Sequence, residues 1–372
     1  MKKILFAAVA ALFVFTSCNK DVPNDNVLSN ETKSVYVKIS GGVESRAVGE
    51  AIGTKPIVFN DGFIIFTNGT AITKTFTIGT GTTDIKVADL KAGTSIAGVP
   101  DYSTAIHVLG NVPSSITVNT AGDIDDVLEM IVTAQAQADN TTGVDNIGLY
   151  GTGNITSSGS PLVYSASFDV MPIGARIELT DLTASGHITG FQIDGIYINN
   201  YYPNAKLDGT IEDAIVNNGD VVARYVGGST AYPAALTPAL YDYAASGGIG
   251  VLTGLVYSPT ATVTDIWTYN VLAPSDVPAA ATDNAPHVIV RLSNITTDNG
   301  IVFNEDQFLT IKLKSGAALL TKLEAGKAYN FDAGVIVFDE NNLTEKPETK
   351  TISVECKITL TDWTTVPVTP AL

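Results

Sequence analysis

The chain has 372 residues, 45% of them hydrophobic, which is long enough to bury large cores and to form about two domains. Its net charge of −17 opposes binding to phosphate backbones, and we expect no nucleic-acid partner. Two cysteines are too few for a disulfide framework. Abundant Thr, Val, Ile, Tyr and Gly, with little helical periodicity, predict an all-β protein.

The N-terminus has the pattern of a targeting segment. Two lysines precede a short apolar run over residues 4–15, and small residues then lead directly to Cys18. This arrangement resembles a bacterial lipoprotein signal, in which the cysteine is lipidated and becomes the first residue after cleavage. We predict a signal peptide over 1–17 with lipidation at Cys18, and an ordinary secretory signal is the alternative. The polar stretch 19–33 predicts a flexible tether.

A strand is predicted directly after the tether. Val35, Val37 and Ile39 alternate with polar residues, which is typical of a strand with one buried face. Two glycines and then Arg46, one of four arginines in the chain, follow this strand. On its own, Arg46 has the ordinary interpretation of an exposed linker arginine.

Short alternating runs recur along the rest of the chain between Gly, Asn and Pro residues, a spacing typical of β-sandwiches. The polar stretch 183–190 separates two blocks of these runs. We therefore predict an N-terminal domain over 47–184 and a C-terminal domain over 185–372. The runs are 57–66, 75–78, 105–109, 165–170, 176–179, 191–198, 288–292, 308–313 and 352–360.

One helix is predicted, over residues 123–137. Ile124, Val127, Leu128 and Ile131 follow the one-face spacing of an amphipathic helix. The acidic residues at its start suit the positive end of the helix dipole. Because this role accounts for the acidic cluster, we expect no metal site there.

No group of residues has the spacing of a catalytic or metal site. The three histidines, His107, His187 and His287, lie far apart in different contexts. We therefore expect no enzyme activity, no cofactor and no bound metal.

Several segments, taken in order, resemble sequences of the fimbrillins, the subunits of the protease-assembled pili of Bacteroidales. None of them is specific alone, and it is their order and spacing over nearly the whole chain that carries the resemblance. They are the predicted helix and the segments VPDYSTAIHVLGNVP (99–113), IGLYGTGNI (147–155), VMPIGARIEL (170–179), FQIDGIYINNYYPNA (191–205), LEAGKAYNFDAGVIV (323–337) and VECKITLTDW (354–363).

The resemblance implies two tandem transthyretin-like β-sandwich domains, with one helix in the first. It also implies an outer-membrane lipoprotein precursor that an Arg-specific, trypsin-like surface protease cuts between Arg46 and Ala47. The removed segment would contain the strand with Val35, Val37 and Ile39. A strand from a neighbouring subunit would then fill the groove, and an adhesive fimbrium would grow on the cell surface.

A donor strand for this exchange is expected at the C-terminus. Trp363 is followed by Val366, Val368 and Leu372 at a period of two. Two prolines in the same stretch count against a central strand, because proline removes a ladder hydrogen-bond donor. The resemblance implies that this tail is donated and that the run 352–360 completes the second domain, although the residues alone leave open which stretch is the donor.

Two other interpretations stay open at this point. The chain could be a tip or accessory subunit of the same kind of pilus. It could also be a monomeric outer-membrane lipoprotein that binds glycans by stacking sugar rings on exposed tyrosines, for which the candidates are Tyr201, Tyr202, Tyr241 and Tyr243.

Overall fold

The computed structural model describes residues 31–40, 59–114, 116–118, 121–133, 147–179, 182–202, 204–211, 256–257, 267–273, 286–331, 336–347 and 349–360. Within these residues the protein is almost entirely strand, with two short helices. The predicted all-β class is confirmed, and every alternating run predicted from the sequence overlaps a strand.

The first half of the chain forms two facing sheets. The four-stranded sheet has the order β4-β1-β9-β8 and the five-stranded sheet has the order β10-β7-β5-β2-β3. The elements are β1 (Thr32–Ser40), β2 (Gly62–Asn68), β3 (Ala71–Ile78), α1 (Val87–Ala92), β4 (Thr94–Pro100), β5 (Ala105–Gly110), α2 (Ile124–Leu128), β6 (Ile131–Thr133), β7 (Leu149–Asn154), β8 (Thr156–Ser158), β9 (Val163–Asp169) and β10 (Met171–Pro172).

The core of this first sandwich lies between its two sheets. Val35 and Val37 from the four-stranded sheet belong to the same buried cluster as Ile64, Phe66 and Val108 from the five-stranded sheet. This is the packing expected when strands with one apolar face are layered.

The second half continues with further sheets. One has the order β16-β11-β20-β23, another has the order β15-β13-β17-β18-β19 with β22 also paired to β18, and β12 pairs with β21. The strands are β11 (Gly174–Leu179), β12 (Leu182–Ala184), β13 (Ile188–Asn199), β14 (Asn204–Lys206), β15 (Val256–Tyr257), β16 (Trp267–Leu272), β17 (His287–Thr297), β18 (Gln307–Ser315), β19 (Ala318–Leu319), β20 (Lys327–Asn330), β21 (Ile336–Phe338), β22 (Thr351–Glu355) and β23 (Lys357–Leu360).

Strand pairing divides the chain at a different place from the predicted boundary between 184 and 185. β11 pairs with β16 and β20, and β12 pairs with β21, so both belong with the second half. β10 still pairs with β7 in the first sandwich. The polar stretch 183–190 comprises the end of β12, a short turn at 185–187 and the start of β13. The distant partners of β11 and β12 leave no local signal in the sequence.

The predicted helix over 123–137 is wrong in length. It ends as α2 at Leu128, and the chain then forms β6, which pairs with β14. Pairing turns Val132 into the core and leaves Ile131 at 40% exposure, the reverse of the helical expectation. A second short helix, α1, was not predicted, so the first half has two helices within the described residues.

The acidic residues at the start of α2 act as expected for a helix start. The Asp123 carboxylate accepts hydrogen bonds from the Asp125 backbone N–H at 3.0 Å and from the Thr70 hydroxyl at 2.8 Å. Asp123 is thus the N-cap residue of a very short helix.

The run 352–360 is two strands in two different sheets. β22 runs parallel to β18, and β23 runs antiparallel to β20. Cys356 lies at the crossing point, where its backbone N–H donates to the Lys314 carbonyl at 3.0 Å and its side chain is buried. Because both segments keep the same period of two, the sequence alone could not show that the strand changes sheet.

Candidate functional site

Strand β1 is a central strand although it lies close to the N-terminus. It pairs antiparallel with β4 from Thr32 to Val37 and parallel with β9 from Val35 to Ser40. Both of its hydrogen-bonding edges are therefore in use. If β1 left, β4 and β9 would become two separate edges across a gap one strand wide, about 10 Å between them. We call this space the β1 groove.

The inner face of β1 fills the first sandwich core. The exposed fractions of Val35 and Val37 are 0%, and that of Ile39 is 1%. Burial of each side chain contributes about 1.5–3 kcal/mol, so the three together contribute about 5–9 kcal/mol. This is comparable with the whole stability of an ordinary domain, about 5–15 kcal/mol. The first sandwich therefore needs an apolar strand in the β1 groove.

The outer face of β1 carries an aromatic ring that rests on a glycine. Gly93, directly after α1, has φ of 96°, and a Cβ atom there would lie 1.9 Å from the Tyr36 hydroxyl. A close approach and a positive φ at one position both require glycine. Gly93 thus makes room for Tyr36 and fixes the place of the ring along the groove.

Substitution Gly93→Ala tests this contact. We expect the free energy of unfolding to fall by about 1–2 kcal/mol for the positive φ, and by a further 1–2 kcal/mol for displacement of Tyr36. Gly98→Ala is the matched control, since Gly98 also has positive φ but nothing lies within 4 Å of its Cβ position. Urea unfolding of both variants gives the comparison. Equal losses would show that Tyr36 does not depend on Gly93.

Polar contacts hold the two ends of β1. At its C-terminal end, the Ser40 hydroxyl donates to the Asp169 carboxylate at 2.7 Å, and the Val170 N–H donates to the Ser40 carbonyl at 3.0 Å. At its N-terminal end, Lys33 donates to the backbone carbonyls of Asp101 and Ser103. Lys33 was assigned to the tether by composition, whereas the structure places it within β1.

The remaining predicted site residues lie outside the described residues. The last described residue before the predicted cleavage site is Ser40, and the last before the predicted donor strand is Leu360. The residues concerned are Cys18, Arg46, Ala47, Trp363, Val366, Val368 and Leu372.

The histidines have structural partners. The His107 ring in β5 lies 3.1 Å from the Tyr150 hydroxyl. Burial lowers the pKa of His107, and the negative charge of Asp125 partly offsets this by raising it. Burial also raises the pKa of Tyr150 to about 12. His187 lies 2.8 Å from the Asp298 carboxylate. Within the described part of the chain, no group of three His, Cys, Asp or Glu residues could hold a metal ion.

His187 and His287 lie at opposite ends of the β13–β17 pair, where Ile188 faces Thr297 and Asn199 faces His287. His107 belongs to the other half of the chain. The histidines therefore do not meet.

Of the four tyrosines proposed for glycan stacking, the two that the structure describes do not form an exposed platform. Tyr201 is buried in the second-half core, at 5% exposure, and Tyr202 packs against the same cluster. The expectation that Tyr201 is exposed is wrong, because this tyrosine completes the core beside β13. Tyr241 and Tyr243 lie outside the described residues. Among the helices described, none has the length and apolar character to span a bilayer.

Comparison with known proteins gives no match to a family model or to a curated protein. Similar solved structures include a fimbrilin from Porphyromonas gingivalis, with 12% identity, a TM-score of 0.48 and coverage of 90% of this chain and 98% of that chain. The tip fimbrial protein Mfa3 of the same organism, with C-terminal truncation, has 9% identity, a TM-score of 0.44 and coverage of 89% and 100%.

A candidate cell adhesion protein from Bacteroides eggerthii has 15% identity, a TM-score of 0.47 and coverage of 90% and 97%. Two of these three structures are fimbrial proteins by name.

Proposed function

We propose that the chain is a fimbrillin-type structural subunit of a surface pilus. It is exported as a lipoprotein precursor with lipid on Cys18, and it is cut by an Arg-specific protease between Arg46 and Ala47. It then polymerises by strand exchange, needs no cofactor and catalyses no reaction. The observation that carries the proposal is the position of β1, a central strand that completes a core and lies just before a candidate cleavage site.

The physical argument concerns the covalent link between β1 and the rest of the chain. While the chain is intact, this link keeps the effective concentration of β1 near its groove high, in the millimolar range for short flexible linkers. The apolar burial and two hydrogen-bonded edges then keep β1 docked. A cut at Arg46 converts β1 into a separate peptide, which a strand of another subunit can replace. Cleavage therefore sets the time of assembly.

The identity of the incoming strand follows from the sequence of the tail. Val366, Val368 and Leu372 keep the period of two that Val35, Val37 and Ile39 show in the groove, and residues 361–372 continue directly from β23. We propose this tail as the donor. The partners are then further copies of this chain or related pilus subunits.

The variant Arg46→Ala tests the cleavage step. Treatment of the purified protein, without its signal sequence, with an Arg-specific protease should give a new N-terminus at Ala47 and ladders of polymers on unheated gels. Arg46→Ala should stay monomeric, because the link to β1 is preserved.

Arg46→Lys is the matched control for the same site. It should resist the Arg-specific protease and assemble only after trypsin treatment. Polymers of Arg46→Ala, or a cut wild-type chain that stays monomeric, would refute the proposed function. A permanently intact junction in cells would favour the monomeric glycan-binding lipoprotein.

A further inference from the structure

We propose that one end of the β1 groove is a binding seat for a primary ammonium group, which we call the ammonium seat. It consists of the backbone carbonyls of Asp101 and Ser103 and the ring of Tyr164, and the Asp101 carboxylate acts on it through its charge. Lys33 occupies it in the intact chain. The ligand class is therefore a peptide strand with a lysine at the position of Lys33.

The geometry of the seat matches an ammonium group. The Lys33 Nζ atom lies 2.6 Å from each of the two carbonyl oxygens and 4.6 Å from the centroid of the Tyr164 ring. Charged donors make the stronger hydrogen bonds, and a cation over an aromatic face adds further attraction. The carbonyls come from the turn after β4 and the ring from β9, so the seat joins both neighbours of β1.

The turn that presents the carbonyls is held by two backbone hydrogen bonds, one within the turn and one to the residue that precedes β1. The Ser103 N–H donates to the Pro100 carbonyl at 3.0 Å, and the Asp101 N–H donates to the Glu31 carbonyl at 3.1 Å. The carbonyl positions are therefore set by backbone hydrogen bonds, one of which comes from the same segment as Lys33.

A second, independent observation is an unpaired carboxylate oxygen. The Asp101 Oδ1 atom is buried and accepts no hydrogen bond within the described residues. Its negative charge raises the pKa of Lys33, although burial of the ammonium lowers that pKa by more. A buried carboxylate oxygen without a hydrogen bond is costly, and the positive charge of Lys33 offsets part of that cost.

The ammonium seat fixes the register of β1. Because the apolar residues repeat every second position, a slip of two residues would still place Val37 and Ile39 inward. The same slip would move Lys33 away from the seat. The apolar face therefore sets which side of β1 is buried, and Lys33 sets its position along the groove.

The ammonium seat also distinguishes β1 from the proposed donor. Residues 361–372 contain no lysine or arginine. The seat therefore favours β1 over the tail, and it adds to the preference that the covalent link gives β1 in the uncut chain. This role in exchange rests on the proposed function, whereas the seat itself is a property of the intact chain.

Hydrogen exchange on the uncut, full chain tests the seat. We expect Lys33→Met to speed exchange of the Val35–Ile39 amides about tenfold, equal to about 1.4 kcal/mol, because charge-assisted hydrogen bonds are lost and the apolar stem is kept. Lys38→Met removes the same charge from the same strand, and it should change these rates less than twofold. Equal effects of the two substitutions would overturn the proposal.

A double-mutant cycle that combines Lys33→Met with Asp101→Asn measures the coupling between the two residues. A loss of packing at Lys33 alone would not produce such coupling. Asp101→Asn should speed β1 exchange several-fold in the wild-type chain and have little effect beside Lys33→Met. If Lys33→Met and Asp101→Asn change the exchange rates independently, so that their effects multiply in the double variant, the proposed ammonium seat is wrong. These measurements use the uncut monomer, so they do not depend on polymerisation. If the cut chain fails to polymerise, the proposed function is refuted, but the proposal of the ammonium seat is not affected.

Discussion

Substitution Val37→Asp is expected to release β1 from its groove without any cleavage. Val37 has no exposed surface and lies at the middle of the three inward residues. A fully buried carboxylate has its pKa raised by up to about 3–5 units, which at neutral pH costs about 4 kcal/mol, because a group with so high a pKa is largely protonated in the folded state. Loss of the valine adds about 1.5–3 kcal/mol. The sum is comparable with the whole apolar contribution of β1.

Limited trypsin digestion measures this release, because Lys33 and Lys38 are protected while β1 is docked between β4 and β9. In Val37→Asp these two lysines should be cut at least ten times faster than in wild type. Ser34→Asp is the matched control, since Ser34 is exposed on the same strand and gains the same charge. Cleavage rates that are equal in the two variants would mean that β1 does not depend on its buried face.

Removal of residues 363–372 is expected to abolish polymerisation while leaving the monomer folded. The last described strand, β23, ends at Leu360, so the truncation keeps every strand of the second half that the structure describes. Ten residues of extended chain span about 33 Å, enough to cover the nine residues of β1. Under the proposed exchange, the opened groove of the truncated chain would have no replacement strand from a neighbour.

A subtler variant separates the tail's sequence from its length. Val366→Ser with Val368→Ser keeps the chain length and the prolines but removes two apolar side chains, worth about 3–6 kcal/mol when buried. It should reduce polymer yield after cleavage by at least tenfold on unheated gels. Thr364→Ser with Thr365→Ser is the control. If the chain without residues 363–372 still forms normal ladders of polymers, the donor strand is not this tail and must be another segment.

The strand content of the protein could be predicted from the sequence because it depends on local alternation. The run 105–109 corresponds to β5, and 288–292 falls within β17. In each case side chains two residues apart share a face, which is visible without knowledge of the partner strand. The inward face of β1 follows from the same rule.

What the sequence could not show depends on distant partners. α2 stops at Leu128 because β6 pairs with β14, more than 70 positions later in the chain, and this pairing overrides local helical propensity. The separation of β22 and β23 into two sheets has the same origin. Local patterns say that a strand exists, and only the topology says which sheet it joins.

The candidate site was also only partly visible in the sequence. Alternation identified Val35, Val37 and Ile39, but it gave no sign that β1 lies between two strands. Lys33 looked like one more charge in a polar tether, and its place between Asp101 and Tyr164 follows from contacts about 70 and 130 positions away. Gly93 offered a weak local signal, since a glycine after a run of helix-forming residues is typical of a helix end.

The central claim is that β1 leaves its groove when the chain assembles. Mass spectrometry of polymers purified after cleavage at Arg46 tests this directly, because it counts the β1 peptide against chains that begin at Ala47. Replacement of β1 by a neighbour's strand predicts polymers in which that peptide is absent. Polymers that retain one β1 peptide for every chain would contradict the exchange and would require subunits to join through another surface.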